Sequence, residues 1–240
     1  MNESVKPLGK KAYGSIPHLP GSRRGPGDHH CHEGQALICT EKTRDKHDIV
    51  SVTVKLDGSC VAVAKINGQI VALGRAGWPA QSSPYEQHQL FAHWVRQHHD
   101  RFSGLLAEGM RVCGEWLAQA HGTRYELNGR QPFVAFDVFS RDNERLPTEH
   151  ALDLILSSGL AVPKRLQLSN DPLSIDAAMA LIANEYRRGY GELDEVEGAV
   201  WRVERRGKFD FLAKYVRPDK IDGLYLPEIS GQEPIWNWRP

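Results

Sequence analysis

The sequence predicts an α+β fold of mainly antiparallel sheets flanked by helices, and three observations support that reading. Val50, Val52 and Val54 alternate with Ser51, Thr53 and Lys55, the period of a strand with one apolar and one polar face. Two apolar runs, 60–66 and 69–75, flank Asn67-Gly68, a dipeptide suited to the two-residue turn of an antiparallel hairpin. Further strands and helices follow without the regular βαβ rhythm of a parallel sheet.

Residues 1–45 are rich in Gly, Pro, Arg and His. The stretch from Gly14 to Gly27 excludes a helix or a central strand, so this region reads as an arm lying on the domain. After the first strand, Leu56-Asp57-Gly58-Ser59 reads as a turn into the hairpin. Ser83-Pro84-Tyr85-Glu86 has the form of a capping box with Pro at the first helical position. Phe91, Trp94, Val95, His98 and Phe102 follow at helical spacing, which predicts a helix from Pro84 to about Leu106. Strands are expected at Arg111–Leu117 and Pro132–Phe139, and helices at 148–158 and 175–188, the second ending at Gly189. A last strand pair, 197–204 and 209–216, encloses Arg205-Arg206-Gly207-Lys208. The tail is interrupted by Pro and Gly, and is expected to fold Trp236 and Trp238 back onto the domain. The chain thus divides into an arm (1–45), one domain (46–226) and a tail (227–240).

With 240 residues, 40% of them hydrophobic, the chain can build one substantial core with room for a cleft. Basic and acidic residues balance at 30 each, so any attraction for a polyanion must be local. No apolar run approaches the roughly 18 residues of a membrane helix, and the N-terminus has no signal-peptide core. A cytoplasmic protein with no membrane partner is therefore the expectation. Cys31, Cys39, Cys60 and Cys113 form no C-x-x-C pair, and are expected as reduced, mostly buried thiols. Asp28-His29-His30-Cys31-His32 offers ligand types that suit zinc. Adjacent residues rarely converge on one ion, however, so a polar loop is expected there.

The segment Lys55-Leu56-Asp57-Gly58 is the most informative. Its lysine ends a strand and shares a face with Ser51 and Thr53, so it points into a polar space. A two-residue turn at Asn67-Gly68 pairs Ile66 with Gln69 and, counting back, Cys60 with Arg75. Arg75 thereby returns beside the lysine, and two cations at one strand end make an anion site. In the last hairpin, pairing Glu204 with Phe209 sets Ala199 opposite Lys214 and puts Glu197 on the same face as a diagonal neighbour.

Taken in order, Lys55-Leu-Asp-Gly, Gly114-Glu115-Trp-Leu, Phe133-Val-Ala-Phe136-Asp-Val, Glu197-Gly-Ala-Val and Phe211-Leu-Ala-Lys214 resemble the motifs of the covalent nucleotidyltransferases. These are the DNA ligases, RNA ligases and mRNA capping enzymes. The match extends over about 160 residues, and its flavour is that of ATP-dependent RNA ligases of the RNA ligase 2 kind. The resemblance implies a nucleotidyltransferase (ATP-grasp-like) domain holding its nucleotide in a cleft between sheets. It implies that Lys55 attacks the α-phosphate of ATP, expels pyrophosphate and carries AMP. Arg75 would contact a phosphate, Glu115 the ribose, Phe136 the adenine, and Lys214 the α-phosphate. Glu197 would help hold Mg²⁺ or Mn²⁺. Two departures stand out: Val54 occupies a position that is often acidic in this branch, and Leu212 replaces the first lysine of a usual K-x-K.

A lysine attacks phosphorus as the free amine, yet its reference pKa is about 10.4. Arg75, Lys214 and a metal ion are expected to lower it. AMP would then pass to an RNA 5′-phosphate, and a 3′-hydroxyl would displace it. Basic loops for RNA are expected at Arg23-Arg24, Arg187-Arg188, Arg205-Arg206-Lys208 and Arg217-Lys220, with His121 to Tyr125 as a further candidate near the nucleotide. Lys214 is followed by 240 − 214 = 26 residues, too few for the appended domain of the relatives, so a partner protein is expected to aid sealing. The alternatives are a capping-type guanylyltransferase using GTP, and a catalytically weak RNA-binding relative.

Overall fold

The computed structural model of the protein describes residues 5–185 and 189–240. Arg187-Arg188 and the predicted end of the helix at 188 lie outside the described residues. The elements run α1 (Glu33–Thr40), β1 (Asp48–Lys55), β2 (Ser59–Ile66), β3 (Gln69–Gly74), α2 (Glu86–Gln97), α3 (His99–Leu105), β4 (Arg111–Trp116), β5 (Phe133–Phe139), α4 (Thr148–Ser157), β6 (Arg165–Ser169), α5 (Ile175–Glu185), β7 (Gly198–Arg205), β8 (Lys208–Val216) and α6 (Pro227–Ser230). They form two antiparallel four-stranded sheets, ordered β6-β1-β7-β8 and β3-β2-β4-β5. The fold class is the one the sequence predicts.

Alternation assigns the faces. In the first sheet Val50, Val52, Val54, Ala199, Trp201 and Val203 form a core with Ala36 and Cys39 of α1 and Ala178 and Ile182 of α5. In the second, Val61, Val63, Val112, Trp116 and Val138 pack with Phe91, Trp94 and Phe102 of the α2–α3 layer. The remaining faces of the two sheets look at each other across a cleft. Its closed end is filled by Ala62, Ala64, Cys113, Phe139 and Leu212, with Tyr13 from the arm.

Several local expectations are corrected. The helix predicted from Pro84 starts at Glu86 and breaks at His98, whose ring stacks on Trp94 at 4.2 Å and whose Nδ1 lies 2.9 Å from the Trp94 carbonyl. Ser83 does not cap it through a capping box; its hydroxyl turns to His88 Nδ1 at 2.7 Å. The arm contains the helix α1, and β6 and α6 are strands and turns of helix that the periodicity did not reveal. The tail returns as expected in its tryptophans: Trp238 N donates to Ala118 O at 3.1 Å, and its ring meets Trp116 at 5.6 Å.

Two bulges reset the registers that matter. In β7–β8 Glu204 pairs with Phe209, but the ladder shifts between Val203 and Glu204, so Val203 faces Phe211 and Asp210 is left over. Lys214 therefore sits opposite Val200, not Ala199, and moves to the cleft face of the sheet. In β4–β5 Cys113 pairs with Asp137 and Gly114 with Ala135, which leaves Phe136 as the bulged residue.

Candidate active site

β1 delivers Lys55 to the end of its strand opposite Gly198, with Ser51 and Thr53 below it on the same face. The chain then turns sharply. A Cβ on Gly58 would lie 2.5 Å from the Trp116 carbonyl, so only glycine allows this approach. Asp57 is fixed rather than free: its Oδ2 accepts from Gly122 N at 2.9 Å and pairs with Lys220 at 2.7 Å. Lys220 also donates to Gly122 O and Thr123 Oγ1, each at 2.7 Å, and so braces the turn.

A cavity of about 1170 Å³ lies between the sheets, and Lys55, Arg75, Glu115, Phe136 and Lys214 all line it. Glu197 is 7% exposed and reaches Lys55 from the strand end, Oε2 to Nζ at 2.6 Å. Glu115 accepts from Gly58 N at 3.0 Å. Ile66 pairs with Gln69 and Val61 with Gly74 as expected, which leaves Arg75 beside Cys60. Its guanidinium donates to Gly14 O at 3.2 Å and Ser15 Oγ at 3.1 Å. Phe136 receives the edge of Tyr13 at 5.1 Å. An ideal strand would send Asp137 to the other face; the bulge instead leaves both residues on the cavity side.

The electrostatics are dominated by carboxylates. Burial favours the neutral form of Lys55, but Glu197, Glu115 and Asp57 outweigh it and hold the lysine above its ordinary range. The protein's own cations do not lower this pKa, because Glu197 is in contact with the amine while Arg75 is turned to the arm. Lys214 is lowered, by burial and by Lys55. Burial, opposed by Lys55 and aided by Glu197 and Asp57, pushes Glu115 up to about 7. Among the described residues no group of three His, Cys, Asp or Glu side chains is placed to hold a metal, in the His29–His32 loop or elsewhere. The described residues alone thus offer no cage. Adjacent Glu115 and Glu197 do suit a hard cation shared with phosphate oxygens, the usual manner of Mg²⁺.

Sequence reasoning missed several contributors. His88 lines the cavity, held by Ser59 Oγ at 2.8 Å and Ser83 Oγ at 2.7 Å. His121, a candidate the sequence did offer, lines it too, bonded to Gln87 Oε1 at 3.0 Å. At the closed end Asp137, 1% exposed, accepts from Tyr13 Oη at 3.0 Å, Arg145 Nε at 2.8 Å and Arg202 Nη1 at 2.7 Å. Nothing in a linear reading pairs residues 13, 137, 145 and 202.

The arm is the third wall of the site. Ala12 N and Tyr13 N donate to Arg75 O at 3.0 and 3.3 Å. Lys214 N donates to Pro17 O at 2.9 Å and Leu19 N to Lys214 O at 2.8 Å, so the arm covers the free edge of β8. His18 Nδ1 is 2.7 Å from Ser22 Oγ, and its Nε2 is 3.1 Å from Asp28.

Residues 48–216 match the model of the RNA ligase family. The chain belongs to the RNA ligase family. A comparison with curated proteins returns no match. Among solved structures the fold is similar to a mutant Naegleria gruberi RNA ligase with ATP and Mn, at TM-score 0.53 and 16% identity over 83% of this chain and 59% of that one. An archaeal ATP-dependent RNA ligase aligns at TM-score 0.48 and 19% identity, covering 85% of this chain and 48% of that one. The chain spans about half the length of these family neighbours. No helix among its described residues is long and apolar enough to cross a membrane.

Proposed function

We propose that this member of the RNA ligase family is an ATP-dependent RNA ligase whose nucleophile is Lys55. The observation that carries the reading is the convergence of Lys55, Glu115, Glu197, Phe136 and Lys214, from five strands or strand ends, on one cleft. Phe136 and Val200 line that cleft from opposite sheets and make a slot suited to a base. Glu115 stands where a ribose hydroxyl can donate to it. Lys214 and Arg75 offer positive charge to the phosphates.

The Nζ lone pair of Lys55 forms a bond to the α-phosphorus, the bond to the bridging oxygen breaks, and pyrophosphate departs with that electron pair. The amine must first give up a proton to solvent. A divalent cation at Glu197 and Glu115 would neutralise the carboxylates that raise Lys55, and would offset charge on the phosphates. Fixed cations then stabilise charge spread over the phosphate oxygens, so the protein's contribution is positioning and electrostatics. An RNA 5′-phosphate oxygen next attacks the AMP phosphorus and frees Lys55. Finally a 3′-hydroxyl attacks the activated 5′-phosphate and releases AMP.

The test is incubation with ATP or GTP and Mg²⁺ or Mn²⁺, followed by intact mass. The wild type should gain one AMP from ATP, nothing from GTP, and nothing in the presence of a chelator. Lys55→Ala should gain nothing. An adduct of undiminished yield in that variant would remove Lys55 from the mechanism, and labelling by GTP alone would turn the reading toward a capping-type enzyme.

A further inference from the structure

The basic loops that the sequence offers for RNA fare very differently in the fold. Arg205 is bound to Asp45 and Asp48, Arg217 to Glu195 and Asp219, and Lys220 to Asp57. Arg206 and Lys208 are exposed, but they sit at the end of β7 remote from Gly198, which is the partner of Lys55. At about 3.3 Å per residue, eight residues put that turn roughly 25 Å away. The N-terminal arm is the exception. Residues 5–27 hold Lys6, Lys10, Lys11, Arg23 and Arg24 and no acidic residue, in a chain whose charges otherwise balance. Arg23 pairs with Asp222. Lys6, Lys10, Lys11 and Arg24 have no carboxylate partner among the described residues, and Lys10, Lys11 and Arg24 are exposed.

The path of this segment is fixed by its contacts. Lys6 Nζ stands 5.0 Å from the centre of the Trp78 ring. The Lys10 backbone lies so close to Gly77, which has φ of +89°, that a Cβ there would come 2.1 Å from Lys10 O. Residues 12–15 then bond to Arg75, residues 17–19 to Lys214, and Arg23 N to Val216 O. The arm therefore runs along one lip of the cleft, from Trp78 past Arg75 and Lys214. Trp78 lines the same cavity as Lys55 and is 41% exposed, a large aromatic surface left partly open.

We propose that this arm is a track for the phosphate backbone of an RNA strand entering the cleft, with Trp78 as the face on which a base stacks at one end. The inference rests on the ligase reading and adds the place where RNA lies. An unpaired basic strip on an otherwise neutral protein attracts a polyanion. An exposed aromatic beside it is how unpaired bases are held without sequence readout. A preformed track keeps the 5′-phosphate near Lys55 without adding charge inside the nucleotide pocket.

The experiment uses the full chain, a 5′-phosphorylated RNA oligonucleotide, and three variants. In the triple variant Lys6→Ala, Lys10→Ala, Lys11→Ala, RNA binding at low salt should weaken about tenfold or more. The slope of log affinity against log salt should fall by about 2, since each single-strand contact contributes about 0.7. Trp78→Ala should weaken binding on the order of tenfold and leave the slope unchanged. Arg206→Ala, Lys208→Ala on the remote turn should alter neither. Self-adenylation, read by mass, should persist in the triple variant and in the remote-turn variant. An unchanged slope in the triple variant overturns the track, as does an equal fall in the remote-turn variant. Lost self-adenylation with RNA binding intact also overturns it, because the lysines would then serve the nucleotide. A wild type that takes no AMP defeats the ligase reading instead.

Discussion

Glu115 lines the proposed nucleotide cleft at a cost in stability. Burial beside Glu197 and Asp57 raises its carboxyl to about 7, against an ordinary value near 4.5. A raised carboxyl pKa means that the folded protein keeps a proton the unfolded chain has lost, so stability falls as pH rises through that window. Glu115→Gln removes the charge while keeping an oxygen for Gly58 N. The variant should equal the wild type in stability near pH 4 and exceed it at pH 8, by up to about 2 kcal/mol after allowing for partial exposure. It should also adenylate itself far more slowly. Thermal melts at both pH values check the first part. A variant less stable than wild type at pH 8 would mean that the charged carboxylate is well paired. Lys55 shows the converse arrangement. Its carboxylate neighbours keep the amine protonated, so a divalent cation bound against them would also favour the free amine.

At the scale of elements, β8 depends on the arm. His18 Nε2 lies 3.1 Å from Asp28 Oδ2 and its Nδ1 2.7 Å from Ser22 Oγ, which in turn accepts from Val216 N at 2.9 Å. This chain fixes the arm against the strand that carries Lys214. His18→Ala and Ser22→Ala should each slow lysyl-AMP formation, the former by about tenfold to a hundredfold, with a smaller change in the KM for ATP. In a Lys214→Ala background neither should slow it further, because a positioning residue has nothing left to position. Additive losses measured in single turnovers would show that the arm acts by another route. Such contacts explain what a linear reading reaches. The face of Lys55 followed from alternation with three valines, and Arg75 was placed by the Asn67-Gly68 turn. Lys214 and Phe136 were not placed, because each is aimed by a bulge. One extra residue, Asp210 or Phe136 itself, exchanges the faces of everything beyond it, and no local composition marks it. β6 and the helix at 33–40 escaped for a plainer reason. Both are short, and the partners that stabilise them are distant in sequence.

At the scale of the whole molecule, the cleft exists because two sheets are held together at one end and apart at the other. Asp137 of β5 and Arg202 of β7 bridge the sheets at 2.7 Å. Arg145 adds a second cation to Asp137 at 2.8 Å, and Arg202 passes the network on to Glu204 at 2.9 Å. Glu204 accepts from Thr148 N and Oγ1, each at 2.7 Å, and so captures the start of α4. Every member of the Asp137–Arg202–Glu204 row is at most 8% exposed, so none can turn to water when a partner is lost. Replacing the whole row with apolar residues of similar volume need not destabilise the protein, whereas removing one partner strands the others. Asp137→Ala leaves Arg145 and Arg202 without their shared carboxylate and should cost about 3–5 kcal/mol, a large part of a typical domain's stability. The loss should be local before it is global. Amide exchange in β5 and β7 should speed up at denaturant concentrations where the helix-side core around Trp116 is still protected. Phe136 adjoins Asp137, so the base slot should loosen too, and the KM for ATP should rise even where folding is nearly complete. Asp137→Asn, which keeps one acceptor oxygen, should fall between the variant and the wild type. Urea melts together with strand-resolved exchange decide the matter. A stability change under about 1 kcal/mol in Asp137→Ala, with both sheets exchanging as before, would mean that the apolar contacts among Ala62, Phe139, Leu212 and Tyr13 already suffice to close that end of the cleft.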